Sequence, residues 1–439
     1  MLGEGEYPAA AVFLAHVHMA RNEWDMTAQT QRGVDRDGRQ AGSGRSPRYL
    51  VFDQLDERVL RFRPGVKWGS GGPGVLPASI ADMDFPVPDP VVASLRRYID
   101  MGDFGYPNWP DGASPLRAAF AYRMKERYGW CPDPDHVREF TDVTYAVRVF
   151  LELSTKPGDG VAIHTPAYGP FTETIERLGL RLIPLPLIDT ERGWVFDADD
   201  CARRMAERGC RVLILVNPHN PTGRVFTRDE LMVLAEAAQR HDLVVISDDL
   251  HADLTYAPHR HLPFASLDPA LEARTVTVYS ASKSFSLAGL RCAVGHVGVA
   301  SLREKLAEQP TGPKVNVLGM RANLAAWTEG AGWLDTVVDY LDVNRRLVAE
   351  VIAERLPEIR HHMPEATYLA WLDCRGLDCG PDAAAYFRER GRVELNSGSG
   401  YNPGGDGFVR LNFATPTPVL REILDRMVDS VATSRWLAS

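Results

Sequence analysis

Lysine is nearly missing from this chain, which has six lysines and 43 arginines among 439 residues. A lysine at the end of an apolar strand is therefore unlikely to be filler. Long apolar runs are missing too: no stretch of eighteen consecutive apolar residues occurs, so the pattern has no transmembrane helix. The six cysteines, Cys131, Cys201, Cys210, Cys292, Cys374 and Cys379, lack the spacing of a zinc site or a disulfide framework and read as reduced cytoplasmic thiols. A net charge of −9 argues against nucleic acid or an anionic membrane as partner. What remains is a small-molecule protein. With 45% hydrophobic residues it can bury a large core, more often as two domains than one.

Residues 1–48 differ from the rest. Glu4 and Glu6 stand where a signal peptide would have a basic region. Residues 35–48 are rich in Gly, Arg and Ser and read as a disordered linker, so Met26 is a candidate start. Residues 49–95 read as an amino-terminal arm that joins a small domain. From 96 to 330, strands and helices alternate: helices 114–128, 145–155, 170–179 and 227–240, and strands 160–164, 181–186, 211–216, 243–247, 275–279 and 293–299. That alternation predicts an α/β fold with a mainly parallel sheet covered on both faces. Residues 331–439 read as a smaller α+β domain with helices 333–355, 381–390 and 416–432 and strands 367–372 and 408–412. No internal repeat is present.

Lys283 lies in Ser280-Ala281-Ser282-Lys283, directly after the apolar run Val276–Tyr279, with Arg291 eight residues on. An ammonium at a buried strand end loses hydration, which costs free energy unless the group is used. Hydroxyls beside it and a guanidinium nearby suit a phosphate held next to a reactive amine. A pyridoxal 5′-phosphate Schiff-base site has these requirements. On its own, such a string also occurs in ordinary loops.

Two further segments narrow the reading. Asn217-Pro218-His219-Asn220-Pro221-Thr222-Gly223 follows the strand 211–216, and its prolines and glycine build a rigid turn. The helix after it opens with Thr227 and Glu230, a capping-box pair. The strand 243–247 then ends in Asp248-Asp249-Leu250-His251, where a carboxylate is placed to keep a pyridinium nitrogen protonated. A lone strand-end Asp is more often a turn or cap residue. Turn-Asn, strand-end Asp and strand-end Lys in one α/β run argue for the site.

Asn-Pro-x-Asn-Pro-Thr-Gly, Ser-Asp-x-x-His and Ser-x-Ser-Lys, in this order, resemble the fold-type I, class I/II aminotransferase superfamily. The strings Ala81–Phe85, Phe104-Gly105-Tyr106, His164–Tyr168, Thr367–Leu372 and Gly407–Asn412 resemble its cystathionine β-lyase-like C–S lyases. The likeness covers roughly residues 50 to 435. It implies that Lys283 holds pyridoxal 5′-phosphate and moves the Cα proton, that Asp248 pairs with the ring nitrogen and that Asn220 bonds the ring O3′. Tyr168 would stack on the ring. Ser280, Ser282 and Arg291 would take the phosphate, helped by backbone N–H groups near Ala146 and Val147 at a helix start. Tyr106 would reach the phosphate of a neighbouring subunit in a homodimer, and Arg410 would clamp the substrate carboxylate. His251 replaces a tyrosine common in aminotransferases and is typical of the lyase branch.

Each residue has a plainer reading: Tyr106, Trp109 and Tyr168 as core or interface aromatics, Arg410 as an outward charge, His251 as a structural histidine. Three departures stand out. Asp142 occupies a position where relatives usually carry glycine, Asp249 one where glutamate is commoner, and residues 394–405 form a polar, glycine-rich loop near the expected substrate. The reading is a C–S β-lyase acting on L-cystathionine or a related cysteine S-conjugate. The alternatives are an aminotransferase, an S-conjugate enzyme of a specialised pathway, or a regulatory protein that keeps the cofactor.

Overall fold

The computed structural model describes residues 50–109, 113–308 and 314–438; the expected extension 1–48 and the candidate start at Met26 lie outside the described residues. Seven strands form the main sheet: β1 (Val137–Phe140), β2 (Gly160–Thr165), β3 (Arg181–Pro186), β4 (Cys210–Val216), β5 (Val244–Asp248), β6 (Thr275–Tyr279) and β7 (Ala293–Val297). Their spatial order is β1-β7-β6-β5-β4-β2-β3. Strands β2 to β6 pair in parallel, whereas β7 runs antiparallel to both its neighbours. The fold class is the expected one, with one reversed strand near an edge.

Side chains along the central strands divide by parity, as the two-residue period of a strand requires. On β4, Leu213 and Leu215 belong to one apolar cluster with Ala162, Val245 and Leu234. Val212 and Ile214 belong to another with Val161, Ile246, Val276 and Phe150. Both faces are thus buried under helices, which is why these strands read as continuous apolar runs. Each fully buried Leu or Ile contributes ~1.5–3 kcal/mol relative to exposure.

A second sheet contains β8 (Arg360–His361), β9 (Leu369–Asp373), β10 (Asn396–Ser397) and β11 (Phe408–Asn412), in the antiparallel order β8-β9-β11-β10. The helices Ala331–Arg355 and Thr417–Ala438 share a core with it through Leu341, Val348, Leu369, Leu411, Leu420 and Leu424. Leu76–Pro77 pairs with Val393–Glu394, attaching the amino-terminal segment to this part of the molecule.

Several elements differ from the sequence expectation. The helix expected at 145–155 spans Val143–Ser154, because the Asp142 carboxylate caps it by accepting from the Tyr145 N–H at 2.8 Å. The strand expected from 367 begins at Leu369, since Thr367 has a φ of 72°. The helix expected at 381–390 is one α-helical turn, Ala383–Tyr386, followed by a wider π turn at Phe387–Gly391. Helices Asp89–Met101, Ala198–Glu207 and Val317–Glu329 were not among the expected elements.

Candidate active site

Three of the expected residues follow the carboxyl ends of adjacent parallel strands. Val216 of β4 pairs with Asp248 of β5, and Asp248 pairs with Val278 of β6. The Asn217–Gly223 turn, Asp248 and the Ser280–Lys283 loop therefore meet at one sheet edge. In open α/β sheets this carboxyl edge is where ligands bind.

Lys283 donates from Nζ to the Ala81 carbonyl at 2.7 Å and lies 3.8 Å from Asp82 Oδ1. Burial lowers its pKa; Asp82 opposes this and the Arg410 charge adds to it. Segment 78–84 supplies that carbonyl and is held in place from several sides. Asn412 donates to the carbonyls of Ile80 (2.5 Å) and Asp82 (2.7 Å), and the Tyr368 hydroxyl donates to Ala81 O at 2.8 Å. Asp84 is buried and accepts from Lys67 Nζ at 2.8 Å and Trp68 Nε1 at 2.7 Å, so it anchors the segment.

Asp248 is buried, and among the described residues its carboxylate accepts one hydrogen bond, from the Leu250 N–H at 3.1 Å on Oδ1. Burial pushes its carboxyl up to about 7; that N–H lowers it and Asp249 raises it further. Among the described residues it has no cationic partner. Next to it, Asp249 is tied into a separate buried set, accepting from Ser247 Oγ at 2.6 Å and lying 3.0 Å from His261 Nε2.

Arg410 is 3% exposed, and no carboxylate pairs with it among the described residues. Its Nη1 donates to Asn220 Oδ1 at 3.1 Å and its Nη2 to Ser79 O at 3.2 Å, while Nε is buried without a partner. Its burial and these two contacts turn the side chain inward, from a position between Trp371 of β9 and Asn396 of β10. The outward-charge reading is therefore excluded. Below it, the Tyr401 ring lies 5.2 Å from the guanidinium. Tyr401 belongs to the glycine-rich loop, two of whose glycines have a packing cause. A Cβ on Gly398 would stand 2.0 Å from the Gly405 carbonyl oxygen, and one on Gly405 would stand 1.9 Å from that of Gly398.

His251 is buried with Nδ1 unpartnered, and its ring meets Tyr368 edge-on at 6.1 Å. Burial, then the Lys283 and Arg410 charges, push its pKa down to about 3, so the imidazole is neutral. Tyr168 precedes the helix Gly169–Arg177, and burial raises its pKa while Arg410, Asp248 and Asp142 all act on it. Lys283, Asp248, Asn220, His251, Tyr168 and Arg410 are thus brought together.

The expected phosphate ligands are placed differently. Ser280 Oγ donates to Cys292 O at 2.7 Å and accepts from the Ser282 N–H at 3.0 Å, which makes it a brace between loop and β7. Ser282 is partly buried beside Lys283. Arg291 has a left-handed backbone, φ 48°, and pairs with Asp142 at 3.0 Å. Ala146 and Val147 are fully buried in the helix Val143–Ser154, and the Ala146 N–H bonds Asp142 O at 3.0 Å. The groups ahead of the helical ladder belong instead to Val143 and Thr144, since the first turn has no carbonyl four residues back. Tyr106 is 94% exposed, with Lys314 Nζ 5.7 Å from its ring.

Reading the sequence missed Asp82, Tyr368 and Asn412 as site-forming residues. All three lay inside strings already singled out, but a residue's partner across 200 or more positions leaves no local signal.

The family model for class I and II aminotransferases matches residues 79–427. The cystathionine β-lyase PatB of Bacillus subtilis is 33% identical over 388 residues, 86% of this chain and 99% of that protein. A cystathionine β-lyase of Corynebacterium glutamicum is 31% identical over 380 residues, 86% of this chain and 99% of that one. Among solved structures, the pyridoxal-phosphate-bound C–S lyase of Staphylococcus hominis superposes with a TM-score of 0.81 at 28% identity, covering 87% of this chain and 98% of that one. With the strand-end Asp and Lys and the buried arginine at one sheet edge, these likenesses make the chain a member of the class I and II aminotransferase family, in the branch of the cystathionine β-lyase-like C–S lyases.

Proposed function

We propose that the chain is a pyridoxal 5′-phosphate-dependent C–S β-lyase that splits L-cystathionine or a related L-cysteine S-conjugate into a thiol, pyruvate and ammonia. One observation carries the reading. A buried arginine with no carboxylate partner, a buried carboxylate with no cationic partner and a lysine of lowered pKa converge at one sheet edge. Each lacks what an amino-acid substrate or the cofactor would bring. Asp248 fits a protonated ring nitrogen, Asn220 an oxygen of the ring, and Arg410 an α-carboxylate held through its unpartnered Nε. Arg291 and the first-turn N–H groups of Val143 and Thr144 fit a phosphate.

When bound, the cofactor supplies a sink for the electron pair released at Cα. The chain's own residues do the rest. Arg410 orients the substrate through its carboxylate, and the segment 78–84 steadies both that arginine, through the Ser79 carbonyl, and Lys283, through the Ala81 carbonyl. Lys283, its pKa lowered by burial, takes the Cα proton on Nζ. The Cβ–S bond then breaks with its electron pair leaving on sulfur, which is protonated. Overall, one thioether and one water give thiol, pyruvate and ammonia. Homodimer formation is part of this proposal, supported by the exposure of Tyr106, Phe104, Met101 and Ile99. So is cytoplasmic residence, supported by six free cysteines.

The test is an L-cysteine thioether supplied with no keto acid. Equal amounts of thiol, pyruvate and ammonia are expected. Amino transfer to an added keto acid, with no thiol released, would place the chain with the aminotransferases instead.

A further inference from the structure

Away from the catalytic edge, His136, Glu272 and His296 each bring one donor atom to within 4.8 Å of the others. His136 directly precedes β1 and Glu272 closely precedes β6, while His296 lies near the end of antiparallel β7, opposite Val137 and Thr277. Asn217, Asp248 and Lys283 stand at or beyond the carboxyl ends of β4, β5 and β6. The two groups therefore occupy opposite edges of the sheet, and the lyase chemistry makes no use of this one.

His296 is the informative member. It is 0% exposed, and among the described residues neither Nδ1 nor Nε2 makes a hydrogen bond. A buried imidazole with both nitrogens unsatisfied is unusual, because desolvating them without a partner is unfavourable. Its Nε2 stands 3.5 Å from Glu272 Oε1. That is close to the ligand–ligand edge of a tetrahedral site with bonds of about 2.0–2.2 Å, which is roughly 3.3–3.6 Å. His136 Nδ1 is also buried without a partner, and His136 Nε2 lies 3.8 Å from Asp133 Oδ2, an orienting carboxylate of the kind that accompanies ligand histidines. Trp130 closes one side, its ring edge-on to His296 at 5.0 Å. The Arg303 charge is turned onto the carbonyls of Val297 and Gly298, at 2.7 Å each.

We propose that His136, Glu272 and His296 bind one divalent transition-metal ion, zinc being the ion that two imidazoles and a carboxylate suit, with the fourth position left to water. The ion is structural. It fastens the entry to β1, the end of β7 and the short helix Pro269–Glu272 ahead of β6 into one clip.

The experiment uses the cofactor-loaded protein, stripped with a chelator and dialysed against zinc. Bound metal is counted by atomic absorption, and melting is followed with and without zinc. His136→Ala and Glu272→Gln are compared with wild type; both side chains are partly exposed, so either variant decides the question if the other misfolds. Wild type is expected to hold about one zinc per chain and to melt about 2 °C or more higher with it. Each variant is expected to bind at least tenfold more weakly, to lose the melting shift and to keep its lyase turnover. Cobalt in the site should give the visible bands of a four-coordinate ion in wild type alone. No retained zinc would overturn the proposal. So would equal zinc retention and an equal melting shift in a folded variant, which would place the metal on other groups such as the cysteines.

Discussion

The Arg291 guanidinium sits 3.0 Å from the Asp142 carboxylate, so the arginine expected to serve a phosphate already has an anionic partner. The same carboxylate caps the helix Val143–Ser154. An anion at a helix start is stabilising, yet it competes with a phosphate for the same positive end. Asp142→Asn keeps the cap, because Asn caps as well as Asp, and removes the charge. We expect it to tighten pyridoxal phosphate retention ~2- to 5-fold, the equivalent of ~0.3–1 kcal/mol. Cofactor dissociation into dialysis buffer, followed by absorbance, measures this. Faster loss from the variant would show that the carboxylate supports the phosphate site.

Lys283→Ala should remove the borohydride-fixable cofactor adduct and all thiol release, with circular dichroism and melting close to wild type. Among the described residues its Nζ reaches only the Ala81 carbonyl and Asp82, so the fold depends little on it. An adduct that survives in the variant would move the reactive amine elsewhere.

Arg410→Lys keeps the charge and loses the planar fork. Losing charge-assisted hydrogen bonds costs ~1.5–3 kcal/mol, so kcat/KM should fall roughly ten- to hundredfold. Steady-state kinetics on a cysteine thioether checks it, with the loss expected mainly in KM. An unchanged KM would mean that the substrate carboxylate binds elsewhere.

Asp248 gives a pH signature in the cofactor-free protein. Its unfolded carboxyl ionises at the ordinary value of 3.8, and its folded one is raised to about 7. Between these values the folded state holds the extra proton, so stability falls as pH rises through that window and the loss is complete above about 7. His251, held down to about 3, works in the opposite direction up to its ordinary value near 6.5. The difference between wild type and Asp248→Asn isolates the carboxyl. The variant should gain melting temperature over wild type progressively from about pH 4 to pH 7 and level off above that, and cofactor binding should shrink the gain. A gap that does not change with pH would mean that Asp248 ionises normally.

Mixing subunits tests the dimer. Lys283→Ala and Tyr106→Ala are each expected to be inactive or nearly so. If Tyr106 serves the partner's site, a mixed dimer puts both defects in one site and leaves the other intact. Thiol release should then recover on refolding the two together. No recovery, with mixed dimers demonstrated, would confine Tyr106 to its own chain or to no site at all.

The legible parts of the molecule were those set by short-range chemistry. β5 and β6 were legible to within a residue because both are short, buried runs rich in β-branched residues; Thr227 and Glu230 marked the start of the helix Arg228–Arg240 because the capping box is local. Asp248 and Lys283 were legible because a charged group ending an apolar strand is itself a local anomaly. The helix Val317–Glu329 escaped because it is apolar nearly all round, with Ala322, Ala325, Ala326 and Trp327 buried, and so presents no amphipathic stripe. Asn412 escaped because its importance lies in two carbonyls more than 300 residues away. Ser280 looked like a phosphate ligand because its hydroxyl was free in the string, whereas the fold commits it to Cys292.

Asn412 has a bearing on how such chains can diversify. Its amide fixes the peptide run whose Ala81 oxygen receives the Lys283 ammonium, so the carboxyl-terminal sheet sets the resting position of a lysine that the main sheet presents. Exchanging the last hundred residues with a relative would replace the anchor of the reactive amine along with one wall of the substrate site. The two portions are heritable as a matched pair, and recombination between them would be tolerated only where Asn412 and its carbonyl partners travel together.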